Sequence, residues 1–173
     1  MKVTVYVATT INGYIAKEDG NSEWVSPSDY EEFTSTLKNA GVTIMGKNTY
    51  LVCKESGDFP FEDTLNIVLT HDPQLLSQTK TDTTLFTDKD IQSLLTDLDQ
   101  QGYSQAVVIG GSATISEFFK TNVVDEIVLC IHPLLFGKGM LLLNVEDLAQ
   151  ELVLQNVRQA QNGLVKLTYT IKK

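Results

Sequence analysis

Arginine is almost missing from this sequence, and the shortage of positive charge excludes a whole class of partner. Arg158 is the only arginine among 13 basic residues, 22 residues are acidic, and the formal net charge of the 173-residue chain is −9. A nucleic-acid groove needs a dense row of lysine and arginine side chains. We therefore expect no nucleic-acid partner.

Cysteine, histidine and long apolar runs are also scarce. Cys53 and Cys130 follow no motif of a disulfide framework or a zinc site, and His71 and His132 lack ligand spacing. We therefore expect no protein-bound metal. No apolar run approaches membrane-spanning length, and the opening segment MKVTVYVATT becomes polar too soon for a signal peptide. These features predict a cytoplasmic protein with no membrane partner.

The sequence does contain a regular alternation of apolar strands and helices. The predicted strands are 2–8, 42–46, 65–70, 83–86, 105–110 and 126–131, and the predicted helices are 27–39, 47–53, 88–101 and 112–120. A loop is expected up to residue 23, and Ser26 with Pro27 begins the first helix. Continuously apolar strands between helices are typical of a buried, mostly parallel sheet.

The C-terminal segment departs from this alternation. Residues 151–160 and 164–173 flank Gln161-Asn162-Gly163, and Asn-Gly between alternating strands favours an antiparallel hairpin. The predicted fold is therefore one α/β domain over residues 1–173. It has a mostly parallel central sheet flanked by helices and ends in an antiparallel hairpin.

A glycine pair at one strand end indicates a nucleotide cradle. The segment VVIGGSATISEFF (107–119) passes from strand to helix through Gly110-Gly111. Glycines let a pyrophosphate approach the backbone, and the N–H groups that begin the helix can bind its oxygens. A tight turn that merely contains glycine is the alternative, because the full GxGxxG pattern is absent.

A second strand end repeats the arrangement. The segment IMGKNTY (44–50) places Lys47, Asn48 and Thr49 in the first turn of a helix. A lysine there opposes the usual preference for acids, which an anion at the site would explain; a solvated lysine is the alternative. Thr70-His71 ends a third strand. Two anion sites at separate strand ends suit a dinucleotide better than a mononucleotide.

Five segments, which follow one another in the family's order and span nearly the whole chain, resemble the dihydrofolate reductase superfamily. This superfamily includes the reductase domain of bifunctional riboflavin-biosynthesis enzymes. In EWVSPSDYEEF (23–33), the family positions are Trp24, Pro27, Asp29 and Phe33, and in IMGKNTY Lys47 replaces an arginine. The other segments are VATTINGYIA (7–16), VVIGGSATISEFF (107–119) and VDEIVLCIHPLLFGKG (124–139).

The resemblance implies a three-layer fold and hydride transfer from NADPH to a C=N or C=O bond of a small pteridine- or pyrimidine-type substrate. It implies that Ala8 and Ile15 contact the nicotinamide carboxamide through their backbones, and that Thr70 and His71 lie near the 2′-phosphate. The adenosine side would be held by Gly46, Lys47, Asn48 and Thr49, and the pyrophosphate by Gly110, Gly111, Ser112, Ala113 and Thr114.

Asp29 is the candidate catalytic residue. A carboxylate near the start of a helix that faces the cofactor can accept two parallel hydrogen bonds from an aminopyrimidine edge. That contact would orient the C=N bond and favour protonation of the ring. Helix capping is the alternative role for Asp29. Trp24 is expected to form a wall of the same pocket, and a position in the core is its alternative.

Departures from the family pattern argue against the substrates of both groups, the dihydrofolate reductases and the riboflavin-pathway reductases. Thr64 stands where dihydrofolate reductases have the arginine that binds the folate glutamate, and Ile109 where the riboflavin-pathway reductases have a glutamate before the Gly-Gly turn. The arginines with which those reductases bind a ribose phosphate have no counterpart in this arginine-poor chain. Cys130 stands where both groups tend to have threonine. Two alternative functions therefore stay open. One is a non-catalytic nucleotide-binding or regulatory module of the same fold, and the other is a mononucleotide-binding protein, although the Walker lysine pattern is missing.

One apolar segment lies outside the regular alternation. HPLLFGKGMLLL (132–143) is either a connection through the core or a subunit interface. The resembling riboflavin-pathway domains are commonly dimeric, which favours a homodimer.

Overall fold

Valine and isoleucine residues build the centre of a large sheet in the computed structural model, which describes residues 1–78 and 80–173. The strands are β1 (Lys2–Thr10), β2 (Tyr14–Ala16), β3 (Val42–Gly46), β4 (Leu65–Leu69), β5 (Thr84–Thr87), β6 (Gln105–Gly110), β7 (Glu126–His132), β8 (Met140–Leu141), β9 (Leu152–Gln159) and β10 (Val165–Ile171). The helices are α1 (Pro27–Ala40), α2 (Lys47–Ser56), α3 (Pro73–Leu76), α4 (Ile91–Gln100) and α5 (Ser112–Lys120).

Eight strands form the main sheet in the order β5-β4-β3-β6-β1-β7-β10-β9. The first six run parallel to one another, β10 is antiparallel to β7, and β9 is antiparallel to β10. The predicted α/β fold, with its mostly parallel sheet and C-terminal hairpin, is confirmed. The hairpin loop is longer than an Asn-Gly turn, because the Ala160 N–H donates to the Leu164 carbonyl at 2.8 Å and closes a loop of residues 160–164.

Helices cover both faces of this sheet, so the core has two parts. Successive side chains of a strand point to opposite faces. On β1, Val3 and Val5 therefore join the core cluster under α4 and α5, whereas Tyr6 joins the cluster that contains Leu37 of α1 and Tyr50 of α2. In the described part of the chain, no helix is long and apolar enough to cross a membrane.

The short elements β2, β8 and α3 were not predicted from the sequence. The expected loop before residue 23 contains β2, which pairs antiparallel with β8 through Tyr14↔Leu141. A three-residue strand is too short to show alternation, and its partner lies far along the chain. The four-residue helix α3 was also missed, although Asp72 is its N-cap and accepts a hydrogen bond from the Gln74 N–H at 2.9 Å.

Helix boundaries follow their capping side chains. The predicted start of α1 is confirmed, with Ser26 as N-cap and Pro27 in the first position. The predicted start of α4 at residue 88 is wrong by three residues. Asp90 accepts a hydrogen bond from the Ser93 N–H at 2.9 Å, and this cap starts the helix at Ile91.

The turns β3–α2 and β6–α5 pack directly on each other. A Cβ atom built on Gly46 would overlap the Oγ1 atom of Thr114. In the opposite direction, Cβ atoms built on Gly110 and Gly111 would lie 3.2 and 3.3 Å from the Oγ1 atom of Thr49. Gly110 also has φ +140°, which side chains rarely adopt. Each turn therefore needs glycine where the threonine of the other turn approaches.

We predict that Gly46→Ala lowers the free energy of unfolding by about 1–3 kcal/mol, because the new methyl group forces Thr114 or the backbone to move. Chemical denaturation measures the loss. The same change in a Thr114→Ala background should cost clearly less, since the overlapping Oγ1 atom is gone. Gly137→Ala is the control, because a Cβ there meets nothing within 4 Å. An equal loss in both backgrounds would contradict the proposed overlap.

Candidate functional site

Three neighbouring strand ends bring most of the predicted cofactor-binding residues to one edge of the sheet. Strands β4, β3 and β6 are adjacent and parallel, so their carboxyl ends lie side by side. Gly46 ends β3, Gly110 ends β6, and Thr70 directly follows β4. This edge is where open α/β sheets bind their ligands.

Two helices begin at this edge with glycine in the N-cap position. Within the described residues, α2 and α5 lack both a capping side chain and an acidic residue in the first turn. The starts of α1, α3 and α4, by contrast, are capped by Ser26, Asp72 and Asp90. Free N–H groups and the positive end of the helix dipole favour an anion. Residues 46–49 and 110–114 are called the anion cradle below.

Lys47 of the anion cradle already has an acidic partner. Its ammonium group lies 2.7 Å from the Oδ2 atom of Asp72, which follows β4. The hydrogen bond from Lys47 is the main reason that the pKa of Asp72 lies below its usual value. The expected alternatives for Lys47 were a solvated lysine or one that binds an anion, and neither included this carboxylate. Thr70 accepts a hydrogen bond from the Asp72 N–H at 3.0 Å, and His71 is exposed.

Ala8 and Ile15 lie on the first two strands and on different sides of the sheet. Ala8 of β1 packs against the cluster under α1 and α2, and Ile15 of β2 packs against the cluster under α4 and α5. In the sheet β1 lies between β6 and β7. The strand therefore separates the anion cradle from the second group of site residues, which surrounds Asp29.

Asp29 lies in the first turn of α1 and is only 5% exposed. The Tyr6 hydroxyl donates a long hydrogen bond of 3.4 Å to its Oδ1 atom, and its Oδ2 atom lies 4.0 Å from the Nε2 atom of His132. Its backbone N–H donates to the Ser26 side chain at 3.4 Å. Asp29 is therefore not the N-cap of α1, and its carboxylate points to the end of the sheet formed by β1 and β7.

His132 is held in one tautomer by two backbone groups. Its Nε2 atom accepts a hydrogen bond from the Ser26 N–H at 3.2 Å. Its Nδ1 atom lies 3.1 Å from the Cys130 carbonyl oxygen, so this nitrogen carries the proton. In this arrangement the imidazole is neutral, and its contact with Asp29 is not an ion pair.

Trp24, which packs on the same histidine that Asp29 contacts, has a hydrogen-bond donor without a partner. The indole packs edge-on against His132 and Phe136, with ring centroids at 5.0 and 5.7 Å. Among the described residues, its Nε1 atom is the buried side-chain polar atom for which no hydrogen-bond partner is found. A buried N–H without a partner costs about 1–3 kcal/mol. A ligand with an acceptor atom would remove that cost.

The sequence analysis missed a set of polar groups behind Asp29. Lys166 and Cys130 donate hydrogen bonds to the Tyr6 hydroxyl at 3.0 and 3.4 Å. Burial raises the pKa of the Cys130 thiol to about 12, and the neighbouring Asp29 carboxylate adds to the rise. A tyrosine in a valine-rich strand and a lysine among apolar residues of β10 were the available signals. Their meeting requires β1, β7 and β10 to be neighbours, which no local pattern shows.

Known structures share this fold over the whole chain. A protein of Shewanella sp. PV-4 assigned to riboflavin biosynthesis is 23% identical, with a TM-score of 0.83 and 100% of both chains covered. The diaminohydroxyphosphoribosylaminopyrimidine deaminase/5-amino-6-(5-phosphoribosylamino)uracil reductase of Thermotoga maritima is 17% identical, with a TM-score of 0.80. The match covers 99% of this chain and 56% of that protein, so this chain corresponds to little more than half of it.

Dihydrofolate reductase has the same fold as well. The Enterococcus faecalis enzyme, complexed with NADP(H) and a second ligand, is 19% identical with a TM-score of 0.73, and the match covers 99% of this chain and 97% of that one. This likeness agrees with the predicted fold. The model of the RibD C-terminal domain matches residues 1–166. The chain therefore belongs to the RibD C-terminal domain family.

Proposed function

We propose that this protein is an NADPH-dependent reductase that transfers a hydride to a C=N or C=O bond of a small pteridine- or pyrimidine-type heterocycle. The observation that carries the proposal is the buried Asp29 carboxylate together with the partnerless indole N–H of Trp24, since both side chains contact His132. The reductases among the structural neighbours, one of them complexed with NADP(H), support it. Residues 1–173 would work as one domain, in the cytoplasm.

The anion cradle is the proposed site of the dinucleotide phosphates. Two glycine-started helices without capping side chains offer free N–H groups at neighbouring strand ends, which suits a pyrophosphate and the adenosine part beside it. Ala8 and Ile15 are proposed to contact the nicotinamide through their backbones. When bound, the cofactor supplies the hydride, and the residues of this chain supply its position and its surroundings.

Asp29 and Trp24 are proposed to bind the heterocycle. Two carboxylate oxygens match the two donors of a protonated aminopyrimidine edge, and this pairing fixes the ring. The negative charge of the carboxylate also favours a proton on the ring nitrogen that is part of the C=N bond. The Trp24 N–H can donate to an acceptor on the substrate, such as a ring carbonyl.

The substrate is proposed to lack an anionic tail. Thr64, at the position of the folate-binding arginine in the resembling reductases, is 5% exposed and shares a hydrogen bond of 3.0 Å with the Thr43 hydroxyl. Arg158, the only arginine, forms an ion pair with Glu32. Neither position offers a free guanidinium for a phosphate or a carboxylate. An uncharged pteridine or aminopyrimidine is the best candidate.

We predict that Asp29→Asn lowers turnover by about 10²–10⁴-fold, since an amide cannot favour ring protonation. A screen of dihydrofolate, pteridines and aminopyrimidines, with NADPH absorbance as the signal, provides the substrate for the measurement. NADPH affinity should hardly change, because the anion cradle is untouched. Glu31→Gln, which removes an exposed carboxylate two residues away, is the control. Full turnover in Asp29→Asn would exclude Asp29 from the reaction.

We predict that NADPH binds about tenfold to hundredfold more tightly than NADH, because one charged hydrogen bond contributes about 1.5–3 kcal/mol. Lys47, Thr70 and His71 are the proposed partners of the 2′-phosphate. Calorimetry should show a weaker preference in Lys47→Ala and a stronger one in Asp72→Asn, since Asp72 competes for the Lys47 ammonium. Equal affinities for both cofactors in the unchanged protein would contradict the assignment.

We further propose a homodimer whose interface includes the exposed apolar residues of the 132–143 segment, where Leu135 is 68% and Leu141 50% exposed. A second apolar surface lies on β9, where Val153 is 47% and Val157 56% exposed. Light scattering at micromolar concentration should show a dimer that Leu135→Ser weakens and Val153→Ser does not. A monomer in the unchanged protein would refute the dimer, and the opposite ranking would move its interface to β9.

A further inference from the structure

A chain of polar groups connects Asp29 with the far side of α1, away from the anion cradle. It begins at a cavity of about 330 Å³ between α1 and the C-terminal hairpin, whose lining includes Glu32, Arg158, Lys166 and Tyr6. From there it passes through the Tyr6 hydroxyl to the Asp29 carboxylate. None of these contacts is needed to hold a dinucleotide or a heterocycle, so their role requires a separate explanation.

The Tyr6 hydroxyl has one proton, and the surrounding groups direct it toward Asp29. Tyr6 is 2% exposed. Its oxygen accepts hydrogen bonds from Lys166, whose ammonium can only donate, and from the Cys130 thiol, which burial keeps protonated. Burial raises the pKa of Tyr6 well above its usual value, so the hydroxyl keeps its proton. Asp29 is left as the acceptor, at 3.4 Å.

Lys166 is held in place by an acid and by an aromatic ring. Its side chain is 12% exposed, and its Nζ atom lies 2.6 Å from Glu32 and 4.6 Å from the centre of the Tyr6 ring. Glu32 also pairs with Arg158. Although burial works against it, the hydrogen bonds and charges of Lys166 and Arg158 hold the pKa of Glu32 below its usual value. Lys166 thus holds a positive charge next to the Tyr6 hydroxyl, which in turn contacts Asp29.

We propose that Lys166, acting through the Tyr6 hydroxyl, is a positioning residue that stabilises the ionised form of the Asp29 carboxylate. An ammonium group that donates to a hydroxyl oxygen makes that hydroxyl a stronger donor to the next acceptor. The titratable groups that contact Asp29 are Tyr6 on β1 and Cys130 and His132 on β7. Behind Tyr6 lie Lys166 on β10 and its partner Glu32, which is on the same helix as Asp29. Of these, Lys166 is the cation, because His132 is in its neutral tautomer.

The importance of this coupling for catalysis rests on the proposed function, because only a reductase that uses Asp29 needs its charge controlled. The coupling itself can be measured without turnover. The carboxyl carbon of Asp29, labelled with ¹³C and assigned by its loss in Asp29→Asn, reports protonation by NMR. In Lys166→Met, which keeps the apolar stem, and in Tyr6→Phe, which keeps the ring, the titration midpoint should rise by about one pH unit, a tenfold change in proton affinity.

Three further variants make this experiment specific. Lys166→Arg keeps the positive charge and should restore the midpoint of the unchanged protein. Glu32→Gln removes a negative charge and should shift the midpoint the other way, to lower pH. Lys172→Met removes an exposed lysine that pairs with Glu151 and should change nothing, which makes it the matched control. Unfolding curves of each variant establish that it is folded at the titrated pH.

Two results would overturn the inference. An unchanged midpoint in Lys166→Met would show that the lysine has no influence on Asp29, and a rise in Lys166→Met without one in Tyr6→Phe would remove Tyr6 from the coupling. Failure of the proposed function looks different. If the midpoint moves as expected but no heterocycle consumes NADPH, the coupling stands and the reductase assignment falls. If turnover requires Asp29 while the midpoint stays fixed, only this inference falls.

Discussion

The parallel arrangement of six strands is the constraint on which the rest of the structure depends. Because β5, β4, β3, β6, β1 and β7 run in one direction, every turn that leads from their carboxyl ends lies at the same edge. Glycine turns from two of these strands then meet, and each accommodates a threonine of the other. The anion cradle is therefore a result of sheet topology, completed by residues with little or no side chain.

Much of the fold could be predicted from the sequence, because its signals are local. Apolar strands and the Ser26-Pro27 helix start each act over a few residues, and both are found in the structure. The hairpin that Asn-Gly indicated is also found, although its loop is longer than a two-residue turn. The pairing of β2 with β8 could not be predicted. It joins strands of three and two residues, which are too short to show alternation and lie far apart in the sequence.

The candidate site also contains residues that local patterns predict and residues that only the fold brings together. Glycine turns and the Trp24–Asp29 segment carry recognisable patterns, so their positions at strand and helix ends could be expected. The polar groups behind Asp29 could not be predicted from the sequence. Tyr6, Cys130 and Lys166 come from three strands that are distant in sequence, and each resembles an ordinary strand residue. Only the position of β7 between β1 and β10 shows that the three side chains meet. The partner of Lys47 was overlooked for a related reason, since Asp72 approaches it from the neighbouring strand end.

The central place of β1 also affects how the chain reaches its structure. Lys2 pairs with Gln105 and Thr4 with Glu126, so β1 is synthesised about a hundred residues before the strands with which it pairs. Contacts of such high sequence separation slow folding, because a long loop must close before they contribute any stability. During synthesis, the valine-rich N-terminal strand is therefore the segment most in need of protection from premature association.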